Sequence, residues 1–128
     1  MVDHGIFYWN ELMTGDVDAA KRFYEAAMGW TFDDMPMPAG GTYTIAKAGD
    51  TMVGGMLNTT GTEMANLPEH WFCYIAVDDI DARCEAAKAA GGTVAREPFD
   101  VPGVGRIAMI QQPGGGMIGW MTPAPQSG

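Results

Sequence analysis

The sequence predicts an α+β domain built from two tandem β-α-β-β-β modules, and three observations predict it. The tetrapeptide Asp16-Val17-Asp18-Ala19 returns as Asp79-Ile80-Asp81-Ala82, an offset of 63 (79 against 16). Each copy follows a run rich in aromatic and β-branched residues. Each is then followed by an amphipathic stretch that stops at glycine. At 128 residues, 47% hydrophobic and 18% charged, the chain can form one core and is globular rather than disordered.

Asp16 and Asp79 suit the N-cap, because an aspartate oxygen accepts from an otherwise unpaired backbone N–H of the first turn. Asp18 and Asp81 add negative charge there, and Gly29 and Gly91 stand where a helix wants a positive φ. The helices therefore run over about 17–28 and 80–90. Val17, Ala20, Phe23, Tyr24, Ala27 and Met28 give the first a buried face, and Ile80, Cys84, Ala87 and Ala90 the second. Gly5–Met13 and Trp71–Val77 read as the strands that precede them. Trp30–Asp33 and Thr93–Arg96 are short second strands. Thr42–Ala48 turns at Gly49-Asp50 into Thr51–Asn58, and Gly105–Gln111 turns at Pro113-Gly114-Gly115 into Gly116–Met121. Module one covers about 5–58, module two about 70–122, with a linker at about 59–69 and a frayed tail from Pro123.

A net charge of −9, with seven scattered Lys and Arg, excludes nucleic acid and anionic membrane surfaces as partners. No apolar run approaches the ~20 residues of a membrane span. Met1-Val2-Asp3-His4 has no basic cluster and no apolar core follows it, so no export signal is expected. Cys73 falls in a strand and Cys84 in a helix, without zinc-site spacing, which fits reduced thiols and a cytoplasmic protein. Gly114-Gly115-Gly116 lacks the lysine of a phosphate-binding loop and reads as a turn. Arg106 is expected to pair with an acid.

Three stretches carry a resemblance: Trp9-Asn10-Glu11-Leu12-Met13-Thr14 with Phe23-Tyr24 and Gly29-Trp30; Val53-Gly54-Gly55-Met56; and Gln112-Pro113-Gly114-Gly115-Gly116. Over nearly its whole length the chain resembles the vicinal-oxygen-chelate superfamily of glyoxalases, bleomycin-resistance proteins and extradiol dioxygenases. The likeness is greatest to the glyoxalase-like Cfp30B-type branch, many of whose members carry two such domains. The resemblance implies a glyoxalase/bleomycin-resistance-type open barrel in which the modules form a cup around a ligand. It also implies four metal-ligand positions, which fall here at Trp9, Phe72, Met56 and Gly119. Side chains of these types make no catalytic metal site, so no metal and no cofactor is expected. In glyoxalase I the last carboxylate also moves the substrate proton, which Gly119 cannot do.

Strand alternation puts Phe7, Trp9 and Glu11 on one face and His70, Phe72 and Tyr74 on the corresponding face of module two. With Met56, Met117, Gly119 and Met121 they describe an aromatic, methionine-rich lining for a small hydrophobic or aromatic molecule. Glu11 is a carboxylate on an inward face, so it must be paired, hydrogen-bonded or neutral, and a raised pKa would make it a candidate base. His70 and Tyr74 are candidate partners, whereas a bond to Thr14 would make its role structural. Two readings follow: a metal-free binding protein, or a glyoxalase-like lyase or isomerase. The latter either uses Glu11 without metal or holds a metal on non-standard ligands. A homodimer and a small-molecule ligand are the expected partners.

Overall fold

Asp16 and Asp79 do cap the two helices: their carboxylates accept from Ala19 N at 3.0 Å and Ala82 N at 3.2 Å. The computed structural model describes residues 4–37, 40–62, 64–101 and 104–124. The first three residues, on which the expected absence of an export signal partly rests, and the last four, most of the expected tail, lie outside the described residues. Helix α1 is Val17–Met28 and α2 is Ile80–Ala89. Gly29 closes α1 at φ 71, a backbone region that side chains other than glycine's disfavour, and its N–H bonds Glu25 O at 3.0 Å. Replacing either capping aspartate by alanine is expected to cost about 1 kcal/mol in urea denaturation, with the slope of the transition unchanged.

Eight strands complete the chain: β1 Ile6–Thr14, β2 Thr31–Pro36, β3 Thr42–Ala48, β4 Thr51–Asn58, β5 His70–Ala76, β6 Thr93–Val101, β7 Gly105–Gln111 and β8 Met117–Pro123. The chain resolves into two compact units, one over Trp9–Phe72 and the other from Cys73 onward together with the N-terminal residues up to Tyr8. Each unit orders its strands alike, β2-β3-β4-β1 and β6-β7-β8-β5. In each, the first strand lies parallel to the last, Glu11–Thr14 beside Gly55–Asn58 and Tyr74–Ala76 beside Gly119–Met121. The other pairings are antiparallel.

Three strands run two or more residues further than the sequence suggested, and one of them, β8, ends at Pro123, so the expected tail does not begin there. β6 extends to Val101 because it follows β7 through two register shifts, and Pro98, which cannot donate to the ladder, falls within the second of them. β2 extends to Pro36 along the outer side of β3, with Asp33 and Asp34 paired to Lys47 and Lys21.

Each unit has its own small core. In the first, Leu12, Ala20 and Met56 are buried, with Val17, Tyr24 and Phe32 packed on them. The face of α1 that meets the sheet is thus Val17-Ala20-Tyr24. Phe23 and Met28, expected on that face, stand 61% and 63% exposed because they lie to either side of it. In the second unit Ile80, Cys84 and Ala87 of α2 pack on Ala108, Ile110 and Ile118 as the sequence predicts, whereas Ala90, also expected on that face, is the exposed C-cap. Both cysteines are free thiols, and burial pushes the Cys84 thiol up. No helix among the described residues is long and apolar enough to cross a membrane.

Candidate ligand-binding face

Alternation along β1 sends Leu12 into the core under α1 and Glu11 to the opposite face of the sheet. Glu11 pairs in register with Gly55, so the two positions share that face. A β-carbon at 55 would collide with the Tyr43 hydroxyl and ring, which places Tyr43 directly over this glycine. Trp9, two residues before Glu11, donates its indole N–H to Tyr43 Oη at 2.8 Å. The Tyr43 hydroxyl in turn hydrogen-bonds the Glu11 carboxylate.

The direction of this chain follows from the chemistry of its ends. An indole nitrogen only donates and a carboxylate only accepts, so the Tyr43 proton points at Glu11. Burial raises the Tyr43 pKa well above its ordinary value, and the Glu11 charge adds to the shift. Tyr43 is therefore a protonated donor at any physiological pH. With its one polar atom engaged by Tyr43, Trp9 offers a ligand only its π-faces.

The remaining candidates fall on both units. His70 is bonded through Nδ1 to Pro68 O at 2.7 Å, which fixes the Nδ1–H tautomer, and its ring meets Phe72 edge-on at 6.2 Å. Thr14, an alternative partner for Glu11, donates to Glu69 instead. In the second unit Tyr74 pairs with Gly119 and Ala76 with Met121, while Met117 opens β8 opposite Gln111. These positions alternate with Ile75, Ile118 and Trp120, which pack toward α2, so Tyr74, Gly119 and Met121 look away from it. Phe72, Tyr74 and Met121 are buried, whereas Phe7 is 70% exposed.

Met56 requires a correction. It is wholly buried against Leu12 and Ala20 on the α1 side, and the residue on the Trp9 and Glu11 face is its neighbour Gly55. The 63-residue offset holds for first strands and caps but grows to 64 on the last strand, since Glu11 pairs with Gly55 and Tyr74 with Gly119. One extra residue between cap and final hairpin in module two shifts the register, and a one-residue slip reverses the face. Tyr43 was not singled out by sequence reasoning. The available signals were the strand-interior pair Gly54-Gly55, which announces close approach of another group, and the alternation of Tyr43 with buried Thr44.

The four positions that the resemblance implies for metal ligands, with Gly55 in place of Met56 by its register with Glu11, hold Trp9, Gly55, Phe72 and Gly119. None has a free lone pair for a metal, since the indole nitrogen carries hydrogen and the other three lack heteroatoms in their side chains. Among the described residues no three His, Cys, Asp or Glu side chains gather as a metal site elsewhere. The residues present do not fit a family-type metal.

The family model for the Glyoxalase/Bleomycin resistance protein/Dioxygenase superfamily matches residues 6–119. The chain belongs to this superfamily. Within it, the chain is 46% identical over 122 residues to the Mycobacterium tuberculosis protein named "Putative glyoxylase CFP32", covering 95% of this chain and 46% of that one. It is 32% identical over 118 residues to the "Anthracycline biosynthesis protein DnrV" of Streptomyces peucetius, covering 84% and 43%. The chain spans about half the length of these relatives. A superfamily member of its own size, a "Probable lactoylglutathione lyase" of Vibrio cholerae, is 35% identical over 127 residues and 90% covered. The superfamily fold is also shared with the structure of methylmalonyl-CoA epimerase from Mycobacterium tuberculosis, at a TM-score of 0.66 and 16% identity over 98% of this chain and 94% of that one.

Proposed function

We propose that the protein binds a small hydrophobic or aromatic organic molecule without a metal, seated on the Trp9 face of the first unit. The observation that carries this reading is the Trp9–Tyr43–Glu11 hydrogen-bond chain over Gly55. It holds an indole ring in place at a position where metal-using members of the family have a ligand, and leaves that ring only stacking to offer. The name of one relative, an anthracycline biosynthesis protein, supports a planar aromatic ligand. In the second unit Tyr74, Met117, Gly119 and Met121 supply the corresponding face; Phe72, the last residue of the first unit, stands in the repeat at the position equivalent to Trp9. We further propose a cytoplasmic homodimer.

Native mass spectrometry of freshly purified protein kept free of chelators tests ligand, metal and subunit number together. A metal-free dimer carrying an organic mass, lost in Trp9→Ala, is expected. A stoichiometric metal overturns the binding reading, and a single-chain mass at micromolar concentration overturns the dimer.

A second reading is favoured by Glu11 itself, a carboxylate buried on the ligand face. It is a metal-independent lyase or isomerase in which Glu11 is the base and Tyr43 fixes its orientation. Three relatives carry the name lactoylglutathione lyase or probable lactoylglutathione lyase. Glu11→Gln, an isosteric change, is then expected to lower formation of lactoylglutathione from methylglyoxal and glutathione by about 10²-fold or more, as loss of a general base does. Any turnover that survives unchanged in Glu11→Gln eliminates this reading and leaves Glu11 a positioning group.

A further inference from the structure

Resting on the binding reading above, we propose that the ligand of the Trp9 face is an uncharged aromatic molecule that presents a hydrogen-bond donor, a phenolic hydroxyl above all, and that His70 is the residue that reads it. His70 belongs to this face through the alternation of β5. Trp71 donates its indole N–H to Tyr24 Oη of α1 at 3.0 Å, and a β-carbon on Gly54 would lie 3.5 Å from its ring, so Trp71 is on the α1 side. His70 and Phe72, one step to either side, therefore point to the face of Trp9 and Glu11. The His70 ring is half-buried there.

Three donors of this face are engaged within the protein. Trp9 gives its N–H to Tyr43, and Tyr43 gives its proton to Glu11. His70 Nδ1 lies 2.7 Å from Pro68 O. A carbonyl oxygen only accepts, so Nδ1 carries the hydrogen, and in the neutral ring Nε2 then holds a lone pair. Lys47 on β3 is held by Asp33 at 2.9 Å. The polar capacity that these side chains turn toward a ligand is therefore accepting: His70 Nε2, and the Glu11 carboxylate with about four acceptor sites on its two oxygens.

Acceptors on a protein face select donors on the ligand. A hydroxyl beside the stacked ring satisfies Nε2, whereas an ether oxygen in the same place sets lone pair against lone pair and leaves Nε2 desolvated without a proton. An aromatic carboxylate fares worst, because it brings acceptors and negative charge toward a buried carboxylate in a chain of net charge −9. The indole of Trp9 supplies the stacking, and His70 supplies the choice between ligands of equal shape.

The test is equilibrium dialysis of the full chain at neutral pH against 2-naphthol, 2-methoxynaphthalene and 2-naphthoate, which share one ring system and differ in donor and charge. Naphthol is expected to bind roughly tenfold more tightly than the ether, and naphthoate most weakly. His70→Phe, which keeps an aromatic ring, is expected to bring naphthol to within a few-fold of the ether without weakening the ether. Glu11→Gln sets an amide donor on the face, so the ether gains and the preference narrows. Thermal unfolding of each variant confirms that the fold persists. Equal binding of naphthol and ether, both lost in Trp9→Ala, overturns the donor preference while the binding reading stands. A preference that survives His70→Phe unchanged overturns the role of His70. If none of the three probes binds in a Trp9-dependent way, the binding reading itself fails and the preference with it.

Discussion

Gly55→Ala is expected to destabilise the protein by about 2–4 kcal/mol and to abolish binding on the Trp9 face. The added β-carbon would overlap the Tyr43 hydroxyl and ring, so that ring must swing away. Its departure breaks both bonds of the chain at once, leaving the buried Glu11 carboxylate without the Tyr43 proton and Trp9 without an acceptor. A buried polar group stripped of its partner costs about 1–3 kcal/mol, more when charged. Denaturation midpoints in urea measure the total. A double-mutant cycle with Tyr43→Phe separates its parts: the phenylalanine ring still collides but no bond remains to lose, so the alanine should cost less in that background. Full additivity would show that Tyr43 and Gly55 are not coupled, and would sink the account of the face.

Met56→Ala is expected to cost about 2–5 kcal/mol in stability while leaving the ligand contacts themselves intact. Met56 is 0% exposed and packs against Leu12 and Ala20 beneath α1, so truncation opens a cavity that a two-layer unit can close only in part. Its backbone belongs to the parallel pair Leu12 with Met56, whose neighbour Glu11 with Gly55 carries the proposed face. Ligand affinity measured well below the midpoint of unfolding should therefore stay within a few-fold of the parent, in contrast to Gly55→Ala. If Met56→Ala instead lost affinity with little change in stability, Met56 would be a lining residue and the one-residue register shift would be wrong. The contrast between adjacent residues makes the pair of experiments decisive, because a strand alternates its faces at every step.

The sequence alone determined the repeat, the helices and the family. Those rest on local signals: aspartate caps, glycine stops, helical and alternating periodicity, and turn residues at Gly49-Asp50 and Pro113-Gly114-Gly115. Each acts within a few residues, so position along the chain was enough to read it, and the ends of β3, β4 and β7 were legible for that reason. The absence of ligand atoms at the family's metal positions was legible too, since no register could turn Trp9, Phe72, Gly55 or Met56 into a carboxylate.

The tertiary structure decided what depends on register and on distance along the chain. Whether residue 55 or 56 faces Glu11 turns on a single residue of spacing between the cap and the last hairpin, which local patterns do not count. The partner of Glu11 came from β3 rather than from a neighbour such as Thr14, because Tyr43 reaches it only across a gap left by a glycine on an intervening strand. Likewise Phe23 and Met28 followed helical periodicity, but only packing on the sheet selected Val17, Ala20 and Tyr24 as the buried face. Strand pairing converts one-dimensional spacing into side-chain neighbours, and the site's polar chain exists only after that conversion.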